Sequence, residues 1–265
     1  PWAARCPTPN SIMQNKRGRR IQFAAAAFWL AVWQAAALLV GREVVLPAPK
    51  AVFFRLAALA QTAGFYRALA GSLIRITLGY LTGLAAGLLT GTFMYFFKPA
   101  RALLSPALTV VRSTPVVSFI LLALVLLQNA RIPIFITFLM VWPILSETAY
   151  SAFSSVDGAL LEMTNMYGIT GIPRFRALYI PSARPHLQSS ALTALGLSWK
   201  AGVAAEVLCS PRDSIGRFLR EAQIYLETAD LLAYTALIIL LSLFLESIIK
   251  KFLRRAGGKK RGHSV

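Results

Sequence analysis

Residues 156–185 read VDGALLEMTNMYGITGIPRFRALYIPSARP, a polar and basic stretch between two long apolar blocks. Leu160, Leu161 and Met163 are apolar, and Glu162 sits among them. Gly168 allows a backbone turn that a side chain would resist. Pro173 and Pro181 are expected to stop helical extension on either side of residues 174–179, because proline lacks the backbone donor a helix needs. The stretch therefore predicts a short helix–turn–helix held rigid at its ends. The blocks beside it, residues 132–153 and 187–208, are long enough to cross a bilayer core as helices of about 20 residues. The fold predicted by working outward from this loop is all-α and polytopic.

Composition supports a bilayer home. The chain of 265 residues is 57% hydrophobic and 14% charged, where a soluble domain carries roughly 25% charge. The net charge of +18 raises nucleic acid as a partner. The basic residues, however, cluster at the ends of apolar blocks and not along one solvated face, as the positive-inside bias produces. Nucleic acid is therefore not expected. Cys6 and Cys209 are far apart, which excludes a disulfide scaffold or a paired-cysteine zinc site, and His186 and His263 are lone histidines. No Walker-type phosphate loop, HExxH or GxSxG motif occurs, so no bound cofactor, resident metal or ATP hydrolysis by this chain is expected.

Six spans are predicted, at about residues 21–40, 72–97, 113–130, 132–153, 187–208 and 231–253 within a membrane domain of residues 21–255. Residues 1–20 are expected to be a disordered basic tail, with Met13 a natural start, and 256–265 a basic carboxy-terminal tail. Six spans with the amino terminus inside put about twice as many Lys/Arg on the inner loops as on the outer ones. Residues 51–59 read as an external interfacial helix. The outer loop 210–230 carries Ile215, Phe218, Leu219, Ala222 and Leu226 on one side of an amphipathic stretch. Pro106 and Pro115 interrupt the start of the third span, so 102–111 reads as a short separate helix.

The second span carries Gly79, Gly83, Gly87 and Gly91, four residues apart and so on one helix face. Such a groove lets another helix approach closely, and a two-fold copy of the chain is one partner it suits. Charges inside a membrane are costly and point to function or to pairing. Lys200 lies deep in the fifth span. Glu206, six residues on, is about 240° around the helix, so the two do not pair, whereas Trp199 and Glu206 share a face. Trp199, Lys200, Glu206 and Arg112 are thus candidates for a substrate pathway or for helix pairing. A membrane enzyme would need titratable groups converging at one depth, and Glu147, Lys200, Glu206 and Glu246 are scattered along the chain. A channel or secondary carrier working without ATP is the other reading, though it has no use for a rigid docking loop.

The spacing of Glu162, Met163, Thr164, Gly168, Leu178, Ile180 and Pro181 resembles the cytoplasmic "EAA" loop of ABC-transporter permeases: Glu-Ala-Ala, three residues, Gly, nine residues, apolar, one residue, apolar, Pro. Met163 and Thr164 depart from the usual alanines, which predicts a bulkier surface there. The nitrate/sulfonate/taurine branch is resembled further by Leu46-Pro47-Ala48-Pro49, Ser72-Leu73-Ile74-Arg75, Arg112-Ser113-Thr114-Pro115 and the run from Trp199 to Glu206. The resemblance covers nearly the whole chain, from about Phe28 to Arg255. It implies a bacterial inner-membrane permease, homodimeric in the lipid, with a cytoplasmic ABC ATPase dimer that binds ATP and Mg. It also implies an extracytoplasmic substrate-binding protein, and as substrate a small anion or another small organic nutrient.

Overall fold

The computed structural model describes residues 9–258, all of whose regular elements are helical. In order these are α1 (Pro9–Val40), α2 (Pro49–Leu59), α3 (Ala63–Phe96), α4 (Lys98–Ser113), α5 (Val116–Leu126), α6 (Ile132–Ser154), α7 (Gly158–Met166), α8 (Gly171–Arg174), a π-helical turn (Phe175–Tyr179), α9 (Ile180–Cys209), α10 (Ile215–Ile224) and α11 (Thr228–Gly258). The all-α polytopic class holds. Four helical stretches are long and apolar enough to cross a membrane: Ala63–Phe96, Ile132–Ser154, Gly171–Cys209 and Thr228–Lys251. The bent pair α4–α5 raises the number to five. The expected first span lies inside α1, where Ala27–Val40 is apolar but shorter.

The third span differs most from expectation. Residues 113–130 do not form one crossing helix. α4 and α5 meet at 100°, with Thr114 and Pro115 both extended (ψ 131° and 134°). Proline pushes the residue before it out of the helical region, and an uncharged run hides that break from hydropathy. Residues 9–20, expected to be part of a disordered tail, belong to α1. The first eight residues and 259–265 lie outside the described part.

α6 is the centre of the bundle, packed between α3 and α9. The α3 glycines face it. A Cβ on Gly79 would meet the Ile134 carbonyl oxygen at 2.4 Å, on Gly83 the Val141 Cβ at 2.8 Å, on Gly87 the Leu145 Cβ at 2.6 Å and on Gly91 the Ser146 carbonyl oxygen at 2.4 Å. The groove is thus filled by this chain's own α6, and a second copy cannot use it. Thr90, Ser146 and Trp142 add hydrogen bonds along the same seam. Outward, Leu89, Leu121, Leu122 and Val125 are exposed; such apolar surface suits lipid and would be costly in water.

α2 packs on α11, tied by the Arg55–Asp230 ion pair. That pair holds the Arg55 guanidinium above its ordinary range, chiefly through the hydrogen bond to Asp230. α10 lies across α9 and α11 with Ile215 and Ala222 buried and Phe218 stacked on Tyr234. Leu226, expected on the same face, is past the helix end at φ 57° and exposed.

Candidate functional site: the 156–185 loop and the polar residues of the bundle

The Asp157 side chain caps α7 by accepting from the Ala159 N–H at 3.0 Å. The helix ends where Ile169 N–H donates to the Thr164 carbonyl (2.8 Å) and Gly168 N–H to the Asn165 carbonyl (3.0 Å). This is the paired closure in which a left-handed residue follows the last turn, and Gly168 supplies it at φ +66°. Gly171 takes a second left-handed position at φ +63°. The sequence reading missed it, although a Gly-Ile-Pro after a turn residue is a signal of the same kind. Arg174 then sews the turn shut, donating to the Ile169 carbonyl at 2.9 Å and to the Asn165 side chain.

Neither proline stops the helix on the far side. α8, the π turn and α9 run as one stretch from Gly171 to Cys209. Pro181 sits in the first turn of α9, and the turn before it widens, with the Ile180 N–H bonding back five residues to the Phe175 carbonyl. A π turn absorbs the missing N–H and the ring clash that proline would impose on an α-helix. The loop is therefore mechanically continuous with a membrane helix.

Exposure sorts the motif residues. Glu162 and Met163 are exposed on α7, beside Leu160, Met166 and Tyr167. Thr164 is buried, its hydroxyl donating to the Leu161 carbonyl, so it adds no bulk to the outer surface, against expectation. Leu178 is buried, while Ile180 and Pro181 are exposed. Behind them lies an aromatic cluster of Tyr95, Phe96, Phe153, Phe175 and Tyr179, with the Tyr95 hydroxyl donating to that of Tyr179 at 3.0 Å. It clamps the loop to α3 and α6.

The polar residues within the bundle divide into two groups. Glu206 is fully buried. It accepts from the Ser72 hydroxyl (2.5 Å), Arg75 Nε (3.1 Å) and the Gly216 N–H (3.4 Å). Arg75 also donates to the Asp213 carbonyl at 2.6 Å. This network joins α3, α9 and α10 and satisfies a charge that lipid or protein interior would otherwise penalise. Trp199, on the same α9 face, is buried and donates to the Ile238 carbonyl at 3.2 Å. Both are helix-pairing residues. Lys200 is exposed on the other side of α9 and forms no ion pair among the described residues. Arg112, in the last turn of α4, opens onto a cavity of about 420 Å³ that also carries Glu147, Thr148, Ser151, Ser155 and His186. The cavity lies at the end of the bundle where α7 sits.

The family model for the inner membrane component of binding-protein-dependent transport systems matches residues 79–257, which include the loop, the glycine face and Glu206. The chain belongs to this family of ABC-transporter permeases. A probable ABC transporter permease of Brucella melitensis is 27% identical to it over 80% of this chain and 86% of its own length. The taurine transport system permease of Escherichia coli K12 is 25% identical over 84% and 83%. A bicarbonate transport system permease of Synechocystis is 31% identical over 60% and 56%. In fold, the permease is similar to a chain of the MetNI methionine ABC transporter in an inward-facing conformation (TM-score 0.62, 16% identity, 72% of this chain and 95% of that one). It is similar also to a chain of a bacterial alginate ABC transporter solved with its periplasmic protein (TM-score 0.59, 15% identity, 98% and 100%). It is a multi-pass membrane transport subunit.

Proposed function

We propose that this permease forms the substrate pathway of an ABC importer and that residues 156–185 couple it to a separate cytoplasmic ATPase. The observation that carries this reading is the exposed α7 surface, with Glu162 and Met163, on a loop continuous with α9. A docked partner that moves α7 moves a membrane helix with it. ATP and Mg act through that partner, whose two states ATP biases by differential affinity. The chain works as a homodimer with two ATPase copies, receives substrate from an extracytoplasmic binding protein, and has its amino terminus in the cytoplasm. The relatives' printed substrates support a small anion such as nitrate or a sulfonate, the zwitterionic sulfonate taurine, or another small organic nutrient. In this scheme Met163, Gly168, Leu178, Ile180 and Pro181 shape the docking element, and Lys200 and Arg112 remain available to the pathway.

The test is affinity purification of the tagged chain from its native membrane in mild detergent, beside Glu162→Lys. An ATP-binding-cassette subunit should co-purify at one-to-one stoichiometry and be lost from the variant. Absence of any ATPase from a folded, abundant wild-type sample would favour an ATP-independent channel or carrier.

A further inference from the structure

A second cavity, of about 290 Å³, opens between α3 and α9 over the central helix. α9 lines it with Arg184, Leu187, Gln188 and Ala191, spaced i, i+3, i+4 and i+7 and so on one face. α3 contributes Leu84 and Leu88, and the buried Leu145 of α6 is the floor. At the inner end the Tyr80 hydroxyl donates to the Ala191 carbonyl at 3.0 Å and ties α3 to α9. From Arg184 to Ala191 the groove runs ~10 Å at 1.5 Å per residue, against about 15 Å for half of a 30 Å hydrocarbon core. The lining is apolar apart from Arg184 and Gln188, both half-buried, and includes no Asp or Glu. Arg184 forms no ion pair with another described residue. α11 packs Leu245 and Ile249 against the same apolar cluster and continues into Lys250 and Lys251. Residues 174–184 hold three arginines and residues 250–261 seven Lys/Arg, with no acid in either stretch. The groove thus has an apolar body and one cationic mouth, at the basic end of the bundle.

From this arrangement we infer that the groove is a binding site for one anionic glycerophospholipid. Arg184 takes the phosphate, whose oxygens match a guanidinium fork. One acyl chain lies along Leu187 and Ala191 against Leu84 and Leu88, and the Gln188 amide donates to the head group's oxygens. Basic pockets between membrane helices recognise anionic head groups in this way. A soluble anion would leave the apolar body unfilled, and a plain hydrocarbon would leave Arg184 without a counter-charge. A choline lipid offers the same phosphate but adds a cation beside Lys250 and Lys251. A second copy of the chain lying alongside in the bilayer brings its own basic end to the same depth, so it is a poor partner for Arg184. The lipid bridges α3 and α9 one turn from Ile180 and Pro181, at the start of the helix into which the loop continues. The inference stands apart from the coupling reading, since it needs only that this end of the bundle face one leaflet.

The experiment is native mass spectrometry of the full chain in detergent, without any ATPase, titrated with palmitoyl-oleoyl phosphatidylglycerol or with phosphatidylcholine of the same acyl chains. One phosphatidylglycerol per chain should be retained at ~10-fold lower lipid concentration than phosphatidylcholine, the scale of one charge-assisted contact. Arg184→Gln should erase that preference and Arg184→Lys should keep part of it. Arg176→Gln, which removes an exposed arginine of the same basic end, should leave it unchanged. Gln188→Trp, which fills the groove from its rim, should weaken retention of both lipids. Glycerophosphoglycerol, the head group without acyl chains, should not displace the bound lipid. Equal retention of the two lipids, an unchanged preference in Arg184→Gln, an equal loss in Arg176→Gln, displacement by the free head group, or a dimer that retains no lipid would overturn the inference. Because no ATPase is present, those results leave the coupling reading standing. Loss of coupling in the purification experiment would likewise leave the lipid result intact.

Discussion

At the scale of single residues, the acid and the base that interrupt the fifth span have opposite fates. Glu206 points into the bundle and meets Ser72, Arg75 and Gly216; Lys200 points out. Sequence spacing separated them around the helix but did not say which face turns inward, because both lie in an equally apolar run. Removing Glu206 leaves Arg75 without its counter-charge. Glu206→Ala should cost about 3–5 kcal/mol, the usual cost of breaking a buried pair, read as a lowered thermal unfolding midpoint in detergent. Glu206→Gln keeps an oxygen for Ser72 and Gly216 and should cost less; the reverse order would show that those hydrogen bonds are not what holds α10. Gly168 was legible from the motif alone, since a left-handed turn residue has few chemical solutions. Gly168→Val, β-branched at φ +66°, should cost about 1–3 kcal/mol and speed proteolysis within residues 166–172. Gly158→Ala, with open space at its Cβ, should leave cleavage unchanged.

Among the elements, the α3–α6 seam sets the spacing of the bundle. Its four-residue glycine period was visible in the sequence, but its partner was not, because a small face accepts any helix, including one from another copy. The obstacles differ along the seam. At Gly79 the nearest atom is a backbone oxygen at 2.4 Å, while at Gly83 it is a side-chain carbon at 2.8 Å. Gly79→Ala should therefore destabilise more than Gly83→Ala, within the ~1–3 kcal/mol typical of overpacking. Thermal inactivation half-times of the two variants in detergent check the order, and equal half-times would mean that the helices separate as freely at both points. The α4–α5 break was half legible: Pro106 and Pro115 announced an interruption, but a proline also permits a gentle kink. The 100° turn comes from what α5 packs on, namely α6 and α9.

For the whole molecule, the question is how the 156–185 loop is joined to the membrane helices. The aromatic cluster behind the loop is the joint. Phe153 is buried between Tyr95, Phe175 and Tyr179, so Phe153→Ala should loosen the loop against α3 and α6. Hydrogen exchange should then accelerate in residues 169–180 while the α3–α6 seam stays protected, as for a locally opening unit. Uniform acceleration through α3, α6 and α9 would show instead that loop and bundle unfold as one. The sequence by itself determined that the chain is helical and polytopic, that the third apolar run is interrupted near Pro106 and Pro115, and which residues make the loop motif. These are matters of apolar run length, proline geometry and residue spacing, all local along the chain. Only the tertiary structure decided that the glycine face is filled by α6, that Glu206 belongs to Arg75, that α9 begins without a stop at Pro181, and that Arg112 and Glu147 share a cavity. Each of those depends on which helix lies alongside which, a choice made by long-range packing among several nearly equally apolar faces.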